Sequence, residues 1–530
     1  MTNKLHNHKS GSYEGIYSLH KYWSKKPPNI IKNLIEKNSK EGDLIIDPFL
    51  GSGISVIESV VCNRRAIGVD INPASVFITR QLLSLINIEL LNVEYKRIED
   101  FAKPIINELY EIKRNNTSHI ASHFIWKDKV LDEVWFKNGK PKYEKTKAQK
   151  DDIIKAKSFT YEGIKQRFPK NKMFENSRIN VKKNDKVHQL FTPRNLYALS
   201  ILFNEIEQVK DDKVRDILKF CFTSSMGQAS KMVFVINKKI DKNNGEKTKL
   251  KNKSVGSWVI GYWQPKEHFE INVWNCFERK YEKILKAKSN QLQDFPFTEE
   301  SNSFSNLLNK KSGFHLSNQP AQKFLINIQD NSVDYIITDP PHGDRIPYLE
   351  LSQLWNSWLG NKVNFEDELI VSGSKERQKD QASYNNLLND TFREIYRILK
   401  PGKKFTLMFN SLDDETWINI INSLNEIGFK LKNIETLSYS ANSVVQDNRE
   451  IGLKTDFVLT YEKATTPLNN IYLLNGVKGE ATLGKLIGNV KEKKEGIEKY
   501  EILNELFFKL LKKNQFFKLS QAIKLINNLN

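Results

Sequence analysis

The sequence predicts an α/β fold, a parallel-type sheet with helices on both faces, from three observations. Buried-strand runs alternate with amphipathic helical stretches in two separate blocks, residues 43–85 and 330–465. In each block a strand ends on an Asp-Pro pair, Asp47-Pro48 and Asp339-Pro340. In the first block a glycine turn leads from strand straight into helix. Alternation of this kind gives parallel strands joined by crossover helices.

The elements follow in order. Leu44-Ile45-Ile46 is a buried strand, Gly51-Ser52-Gly53 a turn, Ile54 to Val61 a helix, and Ala66 to Val69 a second strand ending at Asp70. In the second block Val333 to Thr338 is a strand and Tyr348 to Leu359 a helix. Asn385 to Leu399 places Leu388, Phe392, Ile395 and Leu399 on one side of a longer helix, which Pro401-Gly402 stops. Lys404 to Phe409 is a strand, Asp414 caps a helix reaching Ile427, Gly428-Phe429 opens another strand, and Asp456 to Tyr461 is the last. Between the blocks the chain changes character. Residues 136–190 are lysine-rich with little period, 195–222 and 270–288 read as helices, and 237–253 as a basic loop. After about residue 465 comes a helical appendage with Leu503, Leu506, Phe507, Leu510 and Leu511. The expected division is 1–90 and 311–464 as two parts of one domain, 91–310 as a basic, mostly helical insertion, and 465–530 as the appendage.

Composition narrows the function. Lysine and arginine number 82 against 63 aspartates and glutamates in 530 residues, a formal net charge of +19. Such an excess favours a polyanionic partner, most often nucleic acid. A hydrophobic fraction of 39% with 11% aromatics excludes wholesale disorder. Cys62, Cys221 and Cys276 lie far apart, which excludes a disulfide framework and a cysteine zinc site, so no metal is expected. His119 and His123 are four apart, a spacing that would share a helix face, and packing is their expected role. The N-terminus has no apolar signal core and no run nears the ~20 apolar residues of a membrane span. The expectation is a cytoplasmic protein without a membrane partner.

Two constellations carry chemistry. In Asp47-Pro48-Phe49-Leu50-Gly51-Ser52-Gly53 the glycines let the backbone approach a ligand and adopt positive φ. Asp70, at the end of the next strand, is placed to bond ribose hydroxyls. In Asp339-Pro340-Pro341-His342 the prolines remove amide donors, leaving the Asp339 carboxylate and the Pro340 carbonyl as acceptors suited to an amino group. His342 is planar and could stack on a base. Read alone, each motif is also an ordinary post-strand turn.

Together they resemble the amino-methyltransferases that use S-adenosylmethionine, the family carrying DPPY and a DPFxGSG glycine motif. Val69-Asp70-Ile71-Asn72-Pro73 resembles the segment after the glycine motif, and Leu399-Lys400-Pro401-Gly402 the turn before the fifth strand. His20-Lys21-Tyr22-Trp23-Ser24-Lys25-Lys26-Pro27-Pro28 resembles the segment that closes over the methionine part of the cofactor. The resemblance implies a Rossmann-like class I methyltransferase fold. It implies Asp47, Pro48, Phe49, Gly51, Gly53, Asp70, His20 and Lys25 as cofactor-binding residues, and Asp339, Pro340, Pro341 and His342 as catalytic ones. More than half of the chain separates Gly53 from Asp339, an arrangement similar to DNA methyltransferases with a target-recognition region between the motifs. It therefore implies double-stranded DNA as partner, N6 of adenine as the modified group, and a restriction-modification or defence setting with a restriction or specificity subunit as candidate partner. Two departures stand out: His342 replaces the usual tyrosine, and Leu316-Ser317-Asn318-Gln319 offers amides where an acid often meets the cofactor adenine. Two other readings follow from the same residues. Asp339 to Gly343, DPPHG, is similar to RNA guanine N2-methyltransferases, and loss of catalysis would leave a DNA-binding specificity component.

Overall fold

A computed structural model describes residues 6–9, 13–238, 252–259, 261–294, 299–309, 313–411, 413–438, 456–465, 470–493, 497 and 499–528. Eight strands form the main sheet: β1 (His6–Lys9), β2 (Leu44–Asp47), β3 (Arg65–Val69), β4 (Gly313–Ser317), β5 (Val333–Thr338), β6 (Leu399–Phe409), β7 (Phe429–Ser438) and β8 (Asp456–Lys463). Their spatial order is β1-β7-β8-β6-β5-β2-β3-β4. From β4 through β6 every pairing is parallel. β8 runs antiparallel to both β6 and β7. The strand order changes direction between β2 and β5, a switch point outside whose carboxyl ends a crevice opens.

β2 and β5 are buried along their whole length because helices cover both faces. Ile46 and Ile336 point into one core with Phe392, Trp417 and Leu424. Ile45, Tyr335 and Ile337 point to the opposite face, against Ile31 and Ile35 of α1 (Pro28–Asn38). α2 (Ile54–Val61) and α3 (Pro73–Leu83) follow β2 and β3 as expected. The helix ending at Ile427 is capped one residue earlier than the sequence indicated, since Asp413 Oδ2 accepts the Thr416 amide at 2.7 Å.

The insertion lies between α3 and β4. It has the expected helices, including Pro193–Glu207, Asp212–Ser225 and Val273–Asp294. It also has a seven-stranded antiparallel sheet that its sequence did not announce. His119 and His123 sit on a strand of that sheet, Thr117–Lys127, not on a helix. The His123 ring packs among Trp135, Tyr143 and Phe269, and burial pushes its pKa down to about 3. Most of the basic loop at 237–253 lies outside the described residues. The insertion is fastened where it leaves and rejoins the sheet. Lys288 Nζ donates to the Leu82 and Ser84 carbonyls at 3.0 and 2.7 Å, and Arg80 forms a two-pronged pair with Glu300 at 2.6 and 2.8 Å.

The C-terminal appendage is helical over Gly476–Lys493, Lys499–Leu511 and Leu519–Asn528, with a short parallel strand pair beneath. Phe507 stacks on Phe457 of β8 at 4.4 Å and meets Trp417 at 5.0 Å, so the appendage completes one face of the main core. Among the described residues no helix is long and apolar enough to cross a membrane and no cluster of metal-ligating side chains occurs.

Candidate active site

The crevice at the switch point is a real cleft. Its walls include Asp47, Pro48, Phe49 and Gly51 from the turn after β2, Asp70 after β3, and Asp339 and Pro341 after β5. The residues expected from three separate stretches of sequence thus meet in one place. Pro320, Ala321 and Gln322, which follow the amide-rich stretch after β4, close another side.

Asp70 is held at the mouth by backbone donors. Gly51 N–H donates to Oδ2 and Asn72 N–H to Oδ1, both at 2.8 Å. Burial raises its pKa against those two bonds. Gly51 makes this possible with φ +52°, an unfavourable conformation for most side chains.

Asp47 acts as a bracket within the protein. Its Oδ1 accepts from Phe49 N–H at 3.0 Å and from Thr338 Oγ1 at 2.7 Å, while Ser55 Oγ donates to Oδ2. These bonds tie the glycine turn to the end of β5. Burial pushes the Asp47 pKa from 3.8 up to about 6, opposed by the three hydrogen bonds and reinforced by the Asp339 charge. A raised carboxyl pKa means stability that is complete below pH ~4 and lost as pH rises through the folded value, on the order of 3 kcal/mol. Asp47→Asn keeps an oxygen for Phe49 and Thr338 and turns an amide to Ser55. Urea midpoints measured from pH 4 to 7 are therefore expected to decline less in the variant than in the wild type; equal slopes would refute the bracket's titration.

Asp339 is approached from two sides. Lys26 Nζ lies 2.7 Å from Oδ2, and His342 Nε2 lies 3.0 Å from Oδ1. The His342 ring sits edge-on to Phe409 at 4.8 Å, and the Pro341 carbonyl accepts from Tyr384 Oη at 2.6 Å. The motif after β5 is thus fixed by the helix Gln381–Ile398 and by β6.

Five sequence-selected residues do not line the cleft. Gly53 serves packing, at φ +80° against Thr79 of α3. Pro340 and His342 alternate with the lining residues Asp339 and Pro341 in the same turn. His20 is buried between Trp355 and the insertion's Phe220, its Nε2 3.2 Å from Thr223 Oγ1, and burial takes its pKa down to about 3. Lys25 turns back to donate to the Tyr17 and His20 carbonyls at 2.8 and 3.0 Å. Burial lowers the Lys25 pKa to about 8. The segment 20–28 does border the cleft, but through Tyr22, Trp23, Ser24 and Lys26. Lys26 and the buried Glu368 are functional candidates that the motifs alone did not single out.

The lining fits S-adenosylmethionine. Five acids, Asp47, Asp70, Asp339, Asp367 and Glu368, and one cation, Lys26, line the cleft, with Asp367 also paired to Lys323 and Glu368 to Arg377. That is an acidic cleft in a strongly basic chain, suited to a ligand carrying a sulfonium and an ammonium. Phe49, Leu50, Ile71 and Leu369 supply apolar wall for an adenine. The Trp23 indole N–H is buried without a hydrogen-bond partner among the described residues.

Strand order, a reversed hairpin beside a parallel sheet, and an acidic cleft at the switch point define a Rossmann-like class I methyltransferase fold. The sequence profile of the DNA methylase family matches residues 2–81. Over this N-terminal stretch the chain is similar to the N4-cytosine/N6-adenine DNA methylases. It is 27% identical over 170 residues to the type II methyltransferase M.MjaII of Methanocaldococcus jannaschii, covering 28% of this chain and 32% of that one. It is 29% identical over 131 residues to the type II methyltransferase M.HpaI of Haemophilus parainfluenzae, covering 24% and 40%. The chain thus spans less than half the length of these curated relatives. A SAM-dependent methyltransferase structure from Methanosarcina mazei overlaps 32% of this chain and 82% of that one, at 12% identity and a TM-score of 0.16; the fold assignment rests on the strand order.

Proposed function

We propose that the chain is a site-specific DNA methyltransferase that methylates an exocyclic amino group, N6 of adenine, in a restriction-modification or related defence system in the cytoplasm. The observation that carries this reading is the Asp339 carboxylate facing an acidic cofactor cleft at the sheet's switch point. S-adenosylmethionine supplies an already activated methyl group, so no covalent protein intermediate is needed. The protein's part is to bring a base out of the duplex and to align its nitrogen.

Asp339 and the Pro340 carbonyl accept the amino hydrogens and localise the nitrogen lone pair. That pair forms the new N–C bond while the C–S pair returns to sulfur, and the surplus proton passes from nitrogen to Asp339 and on to water. Adenine is favoured over cytosine because the Asp-Pro-Pro triplet resembles the adenine-modifying members. The insertion is the candidate DNA-reading surface, since Lys137, Lys140, Lys142, Lys150, Lys182 and Lys183 are all exposed on it.

The test is transfer of labelled methyl groups to duplex DNA, with transfer RNA in parallel and nucleoside analysis of the product. Label recovered as N6-methyladenine is expected. Recovery as N4-methylcytosine would correct the base, and label confined to RNA would sink the DNA reading.

A further inference from the structure

Lys26 occupies an unusual position for a lysine. It stands just before α1, where Pro27 and Pro28 fix the backbone, and only 6% of it is exposed. Its Nζ lies 2.7 Å from Asp339 Oδ2 and 2.9 Å from Asp456 Oδ2. An ammonium so buried is stable only when paired, and here two carboxylates pair it. Asp456 opens β8, and its Oδ1 accepts from Asn410 Nδ2 at the end of β6 at 3.2 Å. The Asn410 carbonyl in turn accepts from Arg345, on the loop that follows His342, at 3.0 Å. The chain of contacts therefore starts and ends on the turn that carries Asp339.

We propose that Lys26, braced by Asp456, is a positioning residue for methyl transfer that keeps Asp339 oriented as the acceptor of the amino hydrogens. The proposal rests on the functional reading above. The groups facing Asp339 explain why a brace is needed. Asp47 presents a carboxylate from the end of β2, and Asp456 another from β8. Tyr348 and Tyr384 face it from two helices, and His342 from its own turn. Among the described residues, Lys26 is the permanent cation in direct contact with this crowd of acids. Without it Asp339 would lose the ammonium that fixes its Oδ2 while still facing the carboxyl groups of Asp47 and Asp456.

Lys26 also lines the cleft, so the competing role is an anchor for the carboxylate of the cofactor's methionine part. The two roles separate experimentally in the full-length protein. For Lys26→Met, positioning predicts a kcat lower by roughly 10²-fold at neutral pH with S-adenosylmethionine affinity within about threefold. Lys26→Arg should restore much of the rate. A large rise in the S-adenosylmethionine Kd with kcat near the wild-type value would overturn the proposal in favour of the anchor.

If Lys26→Met does not fold, Asp456→Asn tests the same brace: kcat should fall with S-adenosylmethionine affinity within about threefold, and an unchanged kcat would overturn the proposal. A readout free of activity is the nitrogen-15 resonance of the His342 ring, which reports its bond to Asp339. That resonance should move in Lys26→Met and return toward the wild-type position in Lys26→Arg; an unmoved resonance would overturn the proposal. A wild type that methylates no DNA would defeat the functional reading, whereas the His342 resonance would still decide the role of Lys26.

Discussion

Asp339→Ala is expected to lower methyl transfer by about 10²–10³-fold while leaving cofactor affinity near the wild-type value. The argument is electrostatic and geometric. The reacting amine gains positive charge as the new bond forms, and an anionic acceptor already fixed beside it stabilises that change without reorganisation. Asp339 is fixed by Lys26 and His342 at 2.7 and 3.0 Å, so the loss falls on the chemical step. The variant should fold, because Lys26 keeps its pair with Asp456 at 2.9 Å and is not left as an unpaired buried charge. Asp339→Asn retains an acceptor oxygen but not the charge and should fall between the two. Single-turnover rates on a methylatable duplex, with Kd for S-adenosylmethionine measured beside them, decide the matter. A rate within tenfold of wild type for Asp339→Ala would remove Asp339 from the chemistry.

Gly53→Ala is expected to destabilise the protein by about 2–5 kcal/mol. Two costs add. The residue sits at φ +80°, where an L-side chain is strained by about 1–2 kcal/mol. An added methyl would also lie 2.8 Å from Thr79 Cβ and closer still to Thr79 Oγ1, an overpacking cost of about 1–3 kcal/mol. Thr79→Ala in the same chain removes the Oγ1 and Cγ2 clashes but keeps Cβ, so it should return part of the second cost and none of the first. A denaturant melt of the single and double variants separates them, and a double variant no more stable than Gly53→Ala would show that Thr79 is not the obstacle. In the structure this glycine lets α2 close on α3 and is not among the residues that line the cleft.

That distinction shows what short motifs can and cannot tell. Asp47, Asp70 and Asp339 were legible because strand, turn and acid are contiguous in sequence, and parallel strands put such turns at one end of the sheet. The main-sheet elements were legible for a similar reason: β5 is an uninterrupted apolar run and Tyr348–Leu359 a clean amphipathic helix. Lys26 was not singled out because its meaning lies in partners hundreds of residues away. His20 and Lys25 sat in a segment correctly placed beside the cleft, but backbone direction turned them toward the insertion and toward nearby carbonyls.

The insertion's sheet was hidden by its own burial and turn chemistry. Thr117–Lys127 holds five consecutive buried residues, so the two-residue alternation of a half-exposed strand is missing. The hairpin after it turns at Asp128 and Lys129, both at positive φ (48° and 67°). Lysine is an unusual choice there, where asparagine or glycine would have signalled the turn. The preceding turn at Asn115 and Asn116 uses the expected residues, but one hairpin signal does not reveal a seven-stranded sheet.

The contacts between the insertion and the sheet domain reach well beyond the clamps at Arg80 and Lys288. Phe220 of the insertion meets Phe77 of α3 at 6.5 Å and His20 at 5.1 Å, and Phe203 and Phe222 pack on Trp358. A single apolar core therefore runs from the insertion into the methyltransferase fold. Exchanging specificity between relatives then becomes a problem of graft and socket. Transplanting the exposed lysine-bearing surface leaves this socket intact, whereas cutting at the sequence boundaries of the insertion strips aromatic packing from α3 and from Tyr348–Leu359. On the proposed DNA-reading role of the insertion, chimeras joined above the socket are the ones that should inherit both a working cleft and a new target.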